Sequence, residues 1–123
     1  MKRLIFDTNF LIDMARFKVG FDDVKDVVGA FEPWTIDLVV KELNGLATHK
    51  TKAAMHAKVA LGLIEQGRIG VIKAAQKGAD ASIAKLADGG AMVATNDGAL
   101  RKEIASKGQR VVFLRSKKKL EMA

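Results

Sequence analysis

Arg3-Leu4-Ile5-Phe6-Asp7-Thr8-Asn9 is the stretch that decides the fold. Its apolar run reads as a short strand, and Asp7 closes it at a point where a turn or helix begins. Comparable β-rich runs bounded by turn or capping residues recur over residues 69–73, 91–95 and 110–114, and residues 31–36 around Pro33 supply a further short strand. Between them lie segments with helical periodicity. Residues 11–16 and 23–30 read as short helices around a loop near Gly20, and Asp37 is placed to cap a helix carrying Leu38, Val39, Leu43 and Leu46. Residues 51–66 show Ala53, Ala57, Ala60, Leu61 and Ile64 at spacings of three and four before Gly67. Residues 80–87 and 98–106 follow, ending at Gly89-Gly90 and Gly108. Strands alternating with helices of this length predict an α/β fold with a parallel sheet covered on both faces, since each parallel crossover needs a dozen residues or so.

The chain has 123 residues, 49% of them apolar or aromatic. That is one ordinary domain with enough apolar material for its own core. The absence of Cys excludes disulfide frameworks, zinc-thiolate sites and thiol nucleophiles, and fits a reducing, cytoplasmic setting. The apolar stretch after Met1 stops at Asp7, far short of a signal sequence, and no segment has the length of a membrane span. No partnership with a membrane is expected. The formal charge of +7 is unevenly placed: residues 1–100 hold 13 bases and 12 acids, whereas residues 101–123 hold 8 bases and 2 acids. A basic end on a nearly neutral body points to a polyanionic partner, most simply nucleic acid.

In open α/β sheets ligands gather beyond the carboxyl ends of the strands, where strand order reverses. Asp7 follows the first strand, Asp97 follows the strand at 91–95, Asp80 stands at the mouth of its helix, and Glu42 lies within the helix that Asp37 starts. Each alone has an ordinary explanation, as a helix cap or a solvated helix residue. Together they are expected at one edge of the sheet. Carboxylates brought within a few ångströms repel one another, so the group must take up protons or bind a cation. With no Cys, and with His49 and His56 lacking a carboxylate to complete a site, an all-oxygen set favours Mg²⁺ or Mn²⁺. Such a site suits in-line attack of water on a phosphodiester.

The residues at this point resemble a PIN-domain nuclease from Arg3 to about Leu114. Leu4-Ile5-Phe6-Asp7-Thr8-Asn9-Phe10-Leu11 is similar to the family's first acidic motif, Val39-Val40-Lys41-Glu42-Leu43 to its second, Asp80-Ala81-Ser82-Ile83-Ala84 to its third, and Ala94-Thr95-Asn96-Asp97 to its fourth. The ending Val111-Val112-Phe113-Leu114-Arg115 with Lys117-Lys118-Lys119 is similar to archaeal relatives of ribosomal-RNA-processing PIN nucleases, with VapC-like toxins as the rival subgroup. Asp80 is followed by Ala81 where many relatives of that branch carry a second acid. The resemblance implies a three-layer α/β/α sandwich around a parallel sheet of about five strands, over residues 1–115, with a basic tail over 116–123. It also implies Mg²⁺- or Mn²⁺-dependent cleavage of single-stranded or structured RNA. Asp7 and Asp97 are then direct metal ligands, Glu42 and Asp80 the remaining carboxylates, and Asn9 and Thr95 polar groups that orient ligands or water.

Arg101, Lys102, Lys107, Arg110, Arg115, Lys117, Lys118 and Lys119 are candidates for pairing with RNA phosphates, the alternative being a solvated basic tail. Trp34, beside Pro33 and ahead of an apolar segment, is expected to pack rather than to stack a base. The helices at 11–16 and 23–30 would serve equally as core or as a homodimer face, and an antitoxin partner is expected only under the toxin reading. A non-catalytic RNA-binding or assembly protein is the alternative of a different class. A phosphoacceptor receiver fits less well, because the first strand ends in one acid and Leu114-Arg115 ends the last, and a DxDxT phosphatase is excluded by Asn9.

Overall fold

The computed structural model describes residues 1–116 and 119–123 of the chain. Elements follow in the order β1 (Lys2–Phe6), α1 (Thr8–Phe17), α2 (Phe21–Val28), β2 (Phe31–Ile36), α3 (Asp37–Ala47), α4 (Lys52–Glu65), β3 (Gly70–Ile72), α5 (Ala79–Asp88), β4 (Met92–Ala94), α6 (Gly98–Ser106), β5 (Val111–Ser116) and β6 (Lys119–Met122). The sheet order is β3-β2-β1-β4-β5-β6, with β1 to β5 parallel and β6 antiparallel to β5. Leu4, Ile5 and Phe6 are wholly buried, as an unbroken apolar run in a central parallel strand should be.

The crossovers from β1 to β2 and from β2 to β3 run one way along the sheet, and those from β3 to β4 and β4 to β5 run the other. Right-handed connections therefore place α1 to α4 on one face and α5 and α6 on the opposite face. The packing agrees: α4 lies against α1 and α3, while α5 meets α6, β2 and β4. This is the α/β/α sandwich expected from the sequence. Strand order reverses between β1 and β4, which fixes where a site can form. On the first face, Phe6 contacts the rings of Phe10, Phe21 and Phe31 at centroid distances of 5.7 to 6.1 Å. These tilted pairs lock the start of α1 and α2 over β1 and β2.

Several local expectations need correction. Among the described residues the sheet has six strands because part of the expected tail pairs: Lys119–Met122 runs against β5, with Leu114 opposite Leu120 and Val112 opposite Met122. Leu120 and Met122 alternate with charged neighbours and pack on the core, a period-two signal masked by the adjoining lysines. Asp37 is the first residue of α3, not its cap; its Oδ1 accepts a hydrogen bond from the Ala74 backbone N–H at 2.9 Å, tying α3 to the segment after β3. Asp80 likewise sits within the first turn of α5, behind Gly78. His49 follows α3 and His56 lies in α4.

The helices that do have side-chain caps position the site. Asp7 caps α1 by accepting from the Phe10 N–H at 2.8 Å, and Asp97 caps α6 by accepting from the N–H groups of Ala99 and Leu100 at 2.9 and 3.2 Å. Trp34 packs as expected: its six-membered ring lies against Gly70, where an added Cβ would stand 2.5 Å from the ring. Gly70→Ala should therefore push Trp34 aside and destabilise the fold by about 1–3 kcal/mol, read from the shift in urea unfolding midpoint at unchanged m-value.

Candidate functional site

Asp7, Asn9, Glu42, Asp80 and Asp97 line a single narrow cleft of about 50 Å³, together with Thr8, Val39, Ala79 and Ile83. Each element delivers its acid from the carboxyl edge of the sheet. β1 ends directly before Asp7, α3 leaves β2 and presents Glu42 in its second turn, α5 begins at Ala79 beside Asp80, and β4 leads through Thr95 and Asn96 to Asp97. Three helix N-termini thus converge on the cleft, and their partial positive charge offsets some of the repulsion among the acids.

Capping and cleft-lining are one arrangement. Asp7 uses Oδ1 to hold the Phe10 N–H, and its Oδ2 accepts the Thr95 hydroxyl proton in a very short contact. Thr95 is fully buried, and its Oγ1 in turn accepts the Asp97 N–H at 3.1 Å. One hydroxyl therefore fixes both the first and the fourth acid across the switch point. Asp7 N–H also donates to the Ala94 carbonyl, and Thr35 Oγ1 donates to the Phe6 carbonyl at 2.7 Å, so the chain entering the cleft is held from β4 and from β2. Asp97 spends Oδ1 on its helix cap. Glu42, Asp80 and Asn9 are exposed at the cleft mouth.

Burial raises the Asp7 carboxyl from 3.8 to about 6, against the lowering effect of the Thr95 and Phe10 hydrogen bonds, with Asp80 and Asp97 adding repulsion. Asp80 is also raised, by desolvation and by the charges of Asp97 and Glu103. Asp7, Asp80 and Asp97 are thus close enough for their charges to disfavour one another. Among the described residues, no three His, Cys, Asp or Glu side chains close around a point tightly enough to cage an ion as they stand. The donor set is all oxygen, each carboxylate oxygen of Asp7 keeps a lone pair beyond its one hydrogen bond, and the group carries excess negative charge. That chemistry fits a hard cation of the Mg²⁺ kind, which keeps several waters and needs only one or two carboxylates.

Sequence reasoning missed part of the surroundings. Asn96 joins three elements: its Nδ2 donates to Asp13 Oδ2 at 2.8 Å, and its Oδ1 accepts the Leu114 N–H at 2.8 Å. The Asn96-Asp97 pair was visible, but nothing local announces that Asp13 lies across from it. Glu103 on α6 faces Asp80 for the same reason of tertiary proximity. Among the described residues, none of the basic candidates lines the acid cleft itself, although Lys107 lines a hollow with Asp80 and Glu103. Arg101 sits over the Phe113 ring at 4.1 Å, Arg115 pairs with Glu121 at 2.8 Å, Lys107 pairs with Asp88 at 3.3 Å, and Lys102 and Lys119 are exposed. Lys117 and Lys118 lie outside the described residues.

A doubly wound sheet with carboxylates gathered at the reversal of strand order defines an acid-centred α/β domain. Residues 4–117 match the family model described as a PIN like domain, and the chain belongs to that family. Its structure is similar to that of the PIN domain endonuclease Utp24, at a TM-score of 0.79 and 24% identity over 98% of this chain and 90% of that one. It is also similar to a domain of a functionally unknown protein from Methanocaldococcus jannaschii DSM 2661, at a TM-score of 0.63 and 20% identity over 94% and 93% of the two chains. No curated protein matches the sequence. No helix among the described residues is long and apolar enough to cross a membrane.

The Asp7 shift predicts a pH dependence. The native carboxyl binds its proton more tightly than the unfolded one, so its contribution is complete below 3.8 and is lost as pH rises through about 6. In chelator the loss is on the order of 3 kcal/mol, at roughly 1.4 kcal/mol per unit. Asp7→Asn, which keeps the cap to Phe10, should unfold at higher denaturant than the parent above pH 6 and converge with it near pH 4, as followed by circular dichroism.

Proposed function

We propose that the protein is a Mg²⁺- or Mn²⁺-dependent endoribonuclease that hydrolyses RNA phosphodiester bonds. The observation that carries this reading is the convergence of Asp7, Glu42, Asp80 and Asp97 on one cleft, with Thr95 joining the first to the last. Membership of the PIN-like family and the fold shared with an endonuclease support it. Asp7 and Asp97 would hold the cation, since both are anchored by helix-capping bonds that aim the carboxylates before any ligand arrives. Glu42 and Asp80, exposed at the mouth, would complete the charge and accept protons from the water ligands or the attacking water. When bound, the cation supplies Lewis-acid stabilisation of the attacking water and of charge developing on the phosphate.

The chain's own residues provide orientation. Thr95 donates to Asp7, which keeps Asp7 Oδ2 an acceptor and favours its ionised form against the burial that opposes it. Asn96 clamps the loop that carries Asp97 to α1 and β5, so the fourth acid moves little relative to the first. Asn9, exposed at the cleft edge beside the buried Thr8, would contact the substrate or its water. The finer assignment is to processing of ribosomal RNA in the cytoplasm, supported by the similarity of residues 111–119 to the archaeal processing branch. A VapC-like toxin would share the same acids, and its partner would be an antitoxin.

Asp97→Asn retains a capping oxygen and should leave the thermal midpoint within a few degrees of the parent while lowering Mn²⁺-dependent cleavage of a labelled RNA by at least about a hundredfold. Thr95→Val should fall between the two. Full cleavage in excess chelator would overturn metal dependence. RNA binding without cut ends in saturating Mn²⁺ would instead make the protein a non-catalytic binder.

A further inference from the structure

A second concavity, of about 490 Å³, runs along the other flank of α5. The two share that helix as a wall: Asp80 and Ile83 face the acid cleft, while Ser82, Lys85 and Gly89 face the groove. Their charges are opposite. The acid cleft is lined by four carboxylates and no base, and the groove by Arg3, Lys73 and Lys85 and no acid. All three cations are exposed, and neither of the two ion pairs formed among the described residues involves them. By contrast, Arg115 and Lys107 in the basic C-terminal region are already paired with acids.

Arg3 is also held in place. Its guanidinium lies over the Trp34 ring at 5.0 Å, and that ring rests on Gly70, where no side chain larger than hydrogen fits. Glu32, opposite Arg3 in the β1–β2 register, is the nearest acid on that strand, and its carboxylate accepts from the Trp34 indole N–H at 3.4 Å. A guanidinium held over an indole is restrained before binding, and its outer side offers both phosphate pairing and a surface for base stacking. From Asp80 to Gly89 the helix covers about 14 Å at 1.5 Å per residue, and the groove runs along it from the acid-bearing end toward Gly89.

We propose that this groove is the track for the single-stranded RNA entering or leaving the acid cleft, with Arg3, Lys73 and Lys85 pairing successive phosphates and Arg3 on Trp34 supporting a base. The proposal rests on the ribonuclease reading above. A strand placed this way gains its affinity beside the acids, where attraction is needed to bring one polyanion to another. The three cations come from β1, the segment after β3, and α5, so no run of charge in the sequence marks them.

The test uses the full chain and a fluorescein-labelled single-stranded RNA in chelator, with anisotropy recorded over a range of KCl, and parallel cleavage in Mn²⁺. Arg3→Gln/Lys73→Gln/Lys85→Gln should bind at least tenfold more weakly and lose about 2 from the slope of log affinity against log salt, at roughly 0.7 per phosphate contact on a single strand. Lys73→Gln/Lys85→Gln, which leaves the Arg3–Trp34 contact untouched, should lose about 1.4 by the same rule and guards against a folding defect. Unchanged affinity and slope in both variants, with wild-type cleavage retained, would overturn the track while leaving the nuclease assignment standing. A wild-type chain that neither binds nor cuts RNA would overturn both.

Discussion

The hydrogen bond from Thr95 to Asp7 is the contact on which the site depends. It spans the reversal of strand order between β1 and β4, and it joins a buried carboxylate to a buried hydroxyl that also receives the backbone N–H of Asp97. Burial alone would leave Asp7 protonated and indifferent to a cation; the Thr95 and Phe10 donors pull the other way and hold its pKa at about 6. At neutral pH, above that value, the carboxyl is largely ionised, and a divalent ion would favour that form further. The surrounding fold exists, in functional terms, to keep that balance: β1 is central, wholly apolar and fixed on both sides, so Asp7 has little freedom to escape its neighbours.

The same economy appears in the helices. Asp7 and Asp97 each cap a helix with one oxygen and leave the other toward the cleft or toward Thr95, so a structural bond sets the direction of a functional one. Asp80 and Glu42 are not fixed in this way and stand exposed at the mouth. The groove of opposite sign behind α5 completes the electrostatic pattern, setting positive charge beside an acidic centre that alone would repel a polyanion.

Much of this was legible in the sequence, for physical reasons. An apolar run ended by Asp reads as a buried strand opening a capped helix, and both Leu4-Ile5-Phe6-Asp7 and the approach to Asp97 behave that way. The alternation of strands and helices fixed the handed crossovers and hence the edge where the acids meet. What escaped was information carried by tertiary proximity. Asp37 looked like a cap and instead bonds Ala74, thirty-seven residues away in sequence. Leu120 and Met122 were hidden by the lysines before them, although they make a sixth strand. The charge counts mark the C-terminal end and leave unmarked Arg3, Lys73 and Lys85, which come from three separate segments and line one groove behind α5.

The most direct measurement is an anomalous difference map from crystals of the protein grown in MnCl₂. A manganese peak bridged by the carboxylates of Asp7 and Asp97, with Thr95 still donating to Asp7, is the predicted result. A map with no peak in the cleft at saturating Mn²⁺, with Asp97 turned to solvent and Asp7 left protonated against Thr95, would contradict it.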